Sequence, residues 1–90
     1  MAQAIVDPGE LRRFAGNLKQ FNTDLQNRMA VLHGQLNGLS QTWRDREQVK
    51  FTEEFEQAMV VFARFVEVTN QYIPFLVRKA ERIEEYLQQR

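Results

Sequence analysis

The side chains that could carry chemistry are few and scattered. His33 is the single histidine and cysteine is absent, so neither a multi-histidine nor a thiolate metal site can be assembled, and no disulfide framework can form. No serine-and-acid constellation accompanies His33 as a nucleophilic triad would require. It reads as a partly exposed structural histidine near the hairpin end. Glu53, Glu54 and Glu56 gather carboxylates, but helical spacing sends two of them outward, and a metal site needs convergent ligands. Gly34 and Gly38 lack the strand, the lysine and the hydroxyl of a phosphate-binding loop. Tyr72 and Tyr86 fall on apolar seams, where tyrosine packs its ring and keeps a polar tip. This inventory predicts no catalytic residue, no cofactor and no metal. The chain does not read as an enzyme.

Charge excludes two further classes. Lys and Arg number 12 against 12 Asp and Glu, which leaves no basic excess for gripping nucleic acid. The cluster Arg78, Lys79 and Arg82 is interleaved with Glu81, Glu84 and Glu85 and reads as a solvated helix face. The same mixture lacks the Lys/Arg-rich face that favours anionic lipid, so membrane binding is not expected. The longest apolar run, Met59 to Ala63, is far too short to span a bilayer. The opening residues Met1 to Gly9 lack the basic start and apolar core of a cleavable signal peptide. Secretion without such a leader, or a cytoplasmic location, is the expectation. The absence of cysteine suits a reducing or an oxidising compartment equally.

The elements follow from punctuation and period. Residues 1–6 show no partner pattern and read as a loose tail. Asp7-Pro8-Gly9-Glu10 reads as a helix start: an acceptor at the cap, proline at the first helical position, and a glutamate placed for a capping box. Leu11, Leu18, Leu25, Leu32 and Leu39 then recur every seventh residue, with Phe14 and Phe21 between them and Met29 and Leu36 continuing the stripe. Helix one, about 8–39, is thus narrow in its apolar face and suited to one groove. A parallel leucine zipper is disfavoured, because Arg28 and Gln35 replace apolar residues at alternate seam positions. Arg28 either pairs with Glu53 or Glu56 on the returning helix or snorkels to water. Gly34 and Gly38 weaken the helix end, each by about 1 kcal/mol against alanine.

The bend, about 40–45, is short enough to force antiparallel helices. Thr42 or Asp45 can cap the second helix, with Gln48 as a further capping signal. Helix two, about 46–88, would run roughly 60 Å at 1.5 Å per residue. Pro74 lies inside it and removes a hydrogen bond; a kinked continuous helix is expected over a break near Asn70. Two apolar seams run along this helix. The first is Phe55, Met59, Phe62, Val66, Thr69, Ile73, Leu76, Ala80, Ile83 and Leu87; the second is Val61, Phe65, Val68, Tyr72 and Phe75. Together they cover roughly half the circumference, whereas one neighbour needs a stripe only about 100° wide. One seam suits helix one. The other asks for a second partner.

Trp43, the only tryptophan, sits in the bend, with Phe51 eight residues later and Phe55 a turn beyond. A helical hairpin of this length with such a bend resembles the WXG family, the early-secreted-antigen-type substrates of type VII secretion. The resemblance spans nearly the whole chain, but its motif is partly met: Trp43-Arg44-Asp45 stands where the family has Trp-x-Gly. Asp45 could serve there by capping helix two. The family's C-terminal Tyr-x-x-x-Asp/Glu export signal is also missing, since Arg90 follows Tyr86 and Leu76 follows Tyr72 at that spacing.

The resemblance implies an antiparallel hairpin that pairs into a four-helix bundle, as a homodimer or with a related hairpin. Such a protein acts by being recognised, with a component of the secretion machinery as a further candidate partner. The expectation is a single all-α hairpin domain over residues 1–90, homodimeric first and heterodimeric second. Trp43, Asp45 and Phe51 form its bend motif, and Val61, Phe65, Val68, Tyr72 and Phe75 its dimer interface. The alternative is a cytoplasmic helical adaptor that docks a partner helix.

Overall fold

A computed structural model describes residues 6–89; the expected N-terminal tail lies largely outside them, as does Arg90. The described chain is all-α, with α1 spanning Pro8–Leu39 and α2 spanning Arg46–Gln88. At the start of α1 the Asp7 carboxylate accepts from the backbone N–H of Gly9 at 2.8 Å and of Glu10 at 3.4 Å, quenching donors that the helix itself cannot use. The helix runs through Gly34 and Gly38 without fraying. A β-carbon built on either would meet nothing within 4 Å, so neither glycine marks a close backbone approach.

Past Leu39 the backbone tightens. Ser40 N–H donates to the Leu36 carbonyl at 3.0 Å and Trp43 N–H to that of Leu39 at 2.9 Å. Asp45 restarts the helix by accepting from Gln48 N–H at 3.0 Å. The Gln48 side chain does not complete a reciprocal cap; its amide donates to Thr52 Oγ1 at 2.9 Å. Between Asp45 and Gln89, α2 is uninterrupted and carries Pro74 in its interior, so the three-helix arrangement with a break near Asn70 does not occur.

Cross-helix bonds give the direction and register. Arg12 meets Glu84, Asn22 meets Thr69, and His33 meets Glu56; one number rises as the other falls, and the helices are antiparallel. The result is a rod of 68 × 21 × 15 Å with a radius of gyration of 20.1 Å, against about 12 Å for a compact domain of this length. Its interior is correspondingly thin. Among the described residues the buried apolar set is Ala15, Leu36, Val66 and Ala80. Leu11, Leu18, Leu25, Met29, Phe55, Met59, Ile73, Leu76 and Ile83 are half-buried around them.

The polar centre of this seam was not expected. Asn22 is 1% exposed, and its amide donates to Thr69 Oγ1 at 2.8 Å and to Asn70 Oδ1 at 2.9 Å. The Thr69 hydroxyl in turn donates a hydrogen bond to the Phe65 carbonyl at 2.7 Å. Asn22 Oδ1 is buried without a partner, a net cost of about 1–3 kcal/mol.

Candidate interaction surface

Helical geometry sets which side chains leave the seam. On α1, Phe14 and Phe21 precede Ala15 and Asn22 by one residue, about 100° around the helix. That rotation moves them from the inward seam to the flank, and both are exposed, with Leu32 and Leu39. On α2, Val61, Phe65, Tyr72 and Phe75 are exposed, at 66%, 42%, 56% and 45%, while Val68 is half-buried. The two flanks lie on the same side of the hairpin. Phe21 and Phe65 meet edge to face, with ring centroids 5.9 Å apart at 85°, and Phe21, Leu25, Val61, Phe62 and Phe65 line one open apolar groove. Tyr72 and Phe75 make a second edge-to-face pair at 6.0 Å.

The outward face therefore belongs to both helices, and the view of α1 as a narrow stripe serving one groove is corrected. The heptad leucines flank the inward seam, whose centre is the row Ala15, Asn22, Met29 and Leu36. The signal was present in the spacing: Phe14 and Phe21 fall three residues after Leu11 and Leu18, a second row rather than part of the first. Phe62, assigned to the first seam of α2, also opens onto this groove.

The bend carries an aromatic run. Trp43 is half-buried and stacks at a tilt on Phe51 at 6.1 Å; Phe51 continues to Phe55 at 6.0 Å, and Phe55 to His33 at 6.4 Å. Asp45, where the family motif has glycine, adopts φ −87° and ψ −176°. This is extended backbone open to any residue, so the bend does not require the glycine.

The remaining polar residues hold the rod together. Arg12 clamps the open end, donating from Nε and a terminal guanidinium nitrogen to the two Glu84 carboxylate oxygens, each at 2.8 Å. Those hydrogen bonds, reinforced by the guanidinium charge, hold the Glu84 carboxyl below its ordinary pKa against partial desolvation. Glu84 is thus not merely part of a solvated face. Nearer the bend, His33 Nε2 meets Glu56 Oε2 at 2.8 Å. Glu56 is therefore engaged by His33 and not by Arg28, which makes no ion pair among the described residues. No group of three or more His, Cys, Asp or Glu among them could hold a metal ion, and no described helix is long and apolar enough to cross a membrane.

The described residues thus form an antiparallel hairpin with an aromatic bend, a thin inward seam and a wide exposed apolar face. Its family follows from comparison. The model of the WXG100 family, "Proteins of 100 residues with WXG", matches residues 3–89, and the chain belongs to that family, whose members are non-enzymatic substrates of type VII secretion. Among solved structures it is similar to the secreted protein EsxB of Bacillus anthracis str. Sterne. A variant of EsxB is 30% identical over 93% of this chain and 97% of that one, with a TM-score of 0.75. Wild-type EsxB is 29% identical over 94% and 99%, with a TM-score of 0.77. No curated protein matches.

Proposed function

We propose that this chain is a secreted, EsxB-like substrate of type VII secretion that works as a helical dimer recognised by partner proteins. The observation that carries the reading is the outward apolar face, where Phe14, Phe21, Val61, Phe65, Tyr72 and Phe75 stand exposed on a 15 Å thick rod. Exposed apolar surface this continuous marks an association site. Covering it with a second hairpin makes a four-helix bundle, with Val61, Phe65, Val68, Tyr72 and Phe75 on the α2 side. The second hairpin is another copy or a related chain. At about 25 cal/mol per Å², burial of these residues is worth several kcal/mol. Trp43, Asp45 and Phe51 form the end that a secretion component would read. Pro74 bends α2 around the bundle.

Substitution tests the face directly. Phe65→Glu and Val68→Glu place carboxylates in the proposed contact and should reduce the mass in solution to that of one chain, with helix content retained. Unchanged mass in both variants overturns the assignment of the interface.

A further inference from the structure

We propose that Met29, Met59 and His33 form a binding site for a soft monovalent metal ion, Cu(I), in a groove between the two helices.

Two of the three methionines of the chain and its only histidine line one open groove, together with Glu56, Ala30 and Ala63. Met29 and His33 are four residues apart on α1, and Glu56 and Met59 three apart on α2, so each pair shares a helix face. The level of the groove is set by His33 Nε2, which meets Glu56 Oε2 at 2.8 Å. From that contact Met29 lies one turn back along α1 and Met59 one turn forward along α2. Because the helices are antiparallel, both steps lead away from the bend, by about 6 Å and about 4.5 Å at 1.5 Å per residue. The two thioethers therefore share a level just beyond the imidazole. Met29, His33 and Met59 are all half-buried, within reach of an ion from solvent, and the small side chains of Ala30 and Ala63 leave the groove open beside them. This groove lies away from the outward aromatics: Ala30 follows Phe21 by nine residues, half a revolution around α1. A hairpin covering the outward face leaves it accessible.

Donor chemistry selects the ion. The described residues hold no cluster of three imidazole, thiolate or carboxylate donors, the set that zinc and the harder cations require. Thioethers are soft, neutral donors that favour Cu(I). Leu18 and Leu25 fill the same seam elsewhere, so methionine at 29 and 59 brings sulfur where packing asks only for bulk. The third donor is held in place. In the tautomer that donates Nε2–H to Glu56, the lone pair sits on Nδ1, and a carboxylate on the other ring nitrogen makes a histidine the stronger ligand. Phe55 packs at a tilt against the same ring, with centroids 6.4 Å apart. Glu56 is a positioning residue in this site, not a ligand.

Competition of the full chain against a colorimetric Cu(I) chelator, under anaerobic reducing conditions, reads the site. The unsubstituted chain should take up one Cu(I) per chain. Met29→Leu, Met59→Leu and His33→Gln should each remove that uptake, while Glu56→Gln weakens it by about tenfold. Methionine to leucine nearly conserves volume, so circular dichroism of both leucine variants should match that of the unsubstituted chain. With Ag(I) as the probe, the methyl resonances of Met29 and Met59 should shift and that of Met1 should not. A chain that takes up no Cu(I) overturns the proposal. So does uptake that survives in both leucine variants, which would be adventitious capture at Met1 or at nitrogen donors. All three ligands come from one hairpin, so either result leaves the proposed dimer standing.

Discussion

The two long faces of this hairpin are built from opposite materials. Where α1 meets α2, the central positions hold Ala15, Asn22, Leu36, Val66 and Ala80: small, branched or polar side chains that let the helices lie close. On the outward flank of the same helices stand Phe14, Phe21, Phe62, Phe65, Tyr72 and Phe75. Burial stabilises roughly in proportion to apolar area, and these large side chains leave apolar area exposed away from the intramolecular contact. The inward seam sets register and direction; the outward face holds the apolar area that the proposed association would bury.

Substitutions should separate those roles. The largest effect belongs outside: Phe65→Glu or Val68→Glu should abolish association, read as a loss of mass with the helices intact. Next comes the inward seam, where Leu36→Ala removes a buried side chain and should lower stability to denaturant by about 2–3 kcal/mol while the mass in solution is kept. If Leu36→Ala also dissociates the assembly, the two faces are not separable.

Asn22 gives a smaller effect of opposite sign. Asn22→Leu removes a buried oxygen that has no partner, and Thr69 still donates to the Phe65 carbonyl. Stability should rise by about 1 kcal/mol, measured by chemical denaturation; a loss would mean that the polar centre contributes more than it costs.

The smallest effect is at the open end. Because Arg12 holds the Glu84 carboxyl below its ordinary pKa, this pair contributes stability above the unfolded-state glutamate pKa and loses it as pH falls through the lower folded-state value. Arg12 stays charged throughout, its own pKa being raised by the hydrogen bonds to Glu84. Glu84→Gln should therefore lower the thermal midpoint slightly at neutral pH and leave it unchanged in strong acid. An equal loss at both pH values would assign the effect to packing.

Two long antiparallel helices were legible in the sequence because their signals are local. Asp7-Pro8 and Asp45 place short acceptors ahead of helical periods, and the α2 seams step by four and three over many turns. What escaped was relational. Phe14 and Phe21 looked like members of the α1 leucine stripe, since one residue of offset becomes a different face only when the neighbouring helix is in place. Asn22 at the centre depends on Thr69 and Asn70, and Arg12 on Glu84, far apart in sequence. Nothing within α1 points to either partner. Of the two alternatives for Arg28, pairing with Glu53 or Glu56 or reaching water, the second is the one seen: Arg28 is exposed without an ion pair among the described residues, and His33 occupies Glu56. At the bend, Asp45 caps α2 as its sequence position suggests, and its extended backbone angles add that the position does not require glycine.

The mass of the unsubstituted chain in solution, by light scattering at micromolar concentration, tests the central claim most directly. The expected value is twice the 10.7 kDa of one chain. A folded, helical species of 10.7 kDa would contradict it, because the outward aromatics would then be stable in water without a partner.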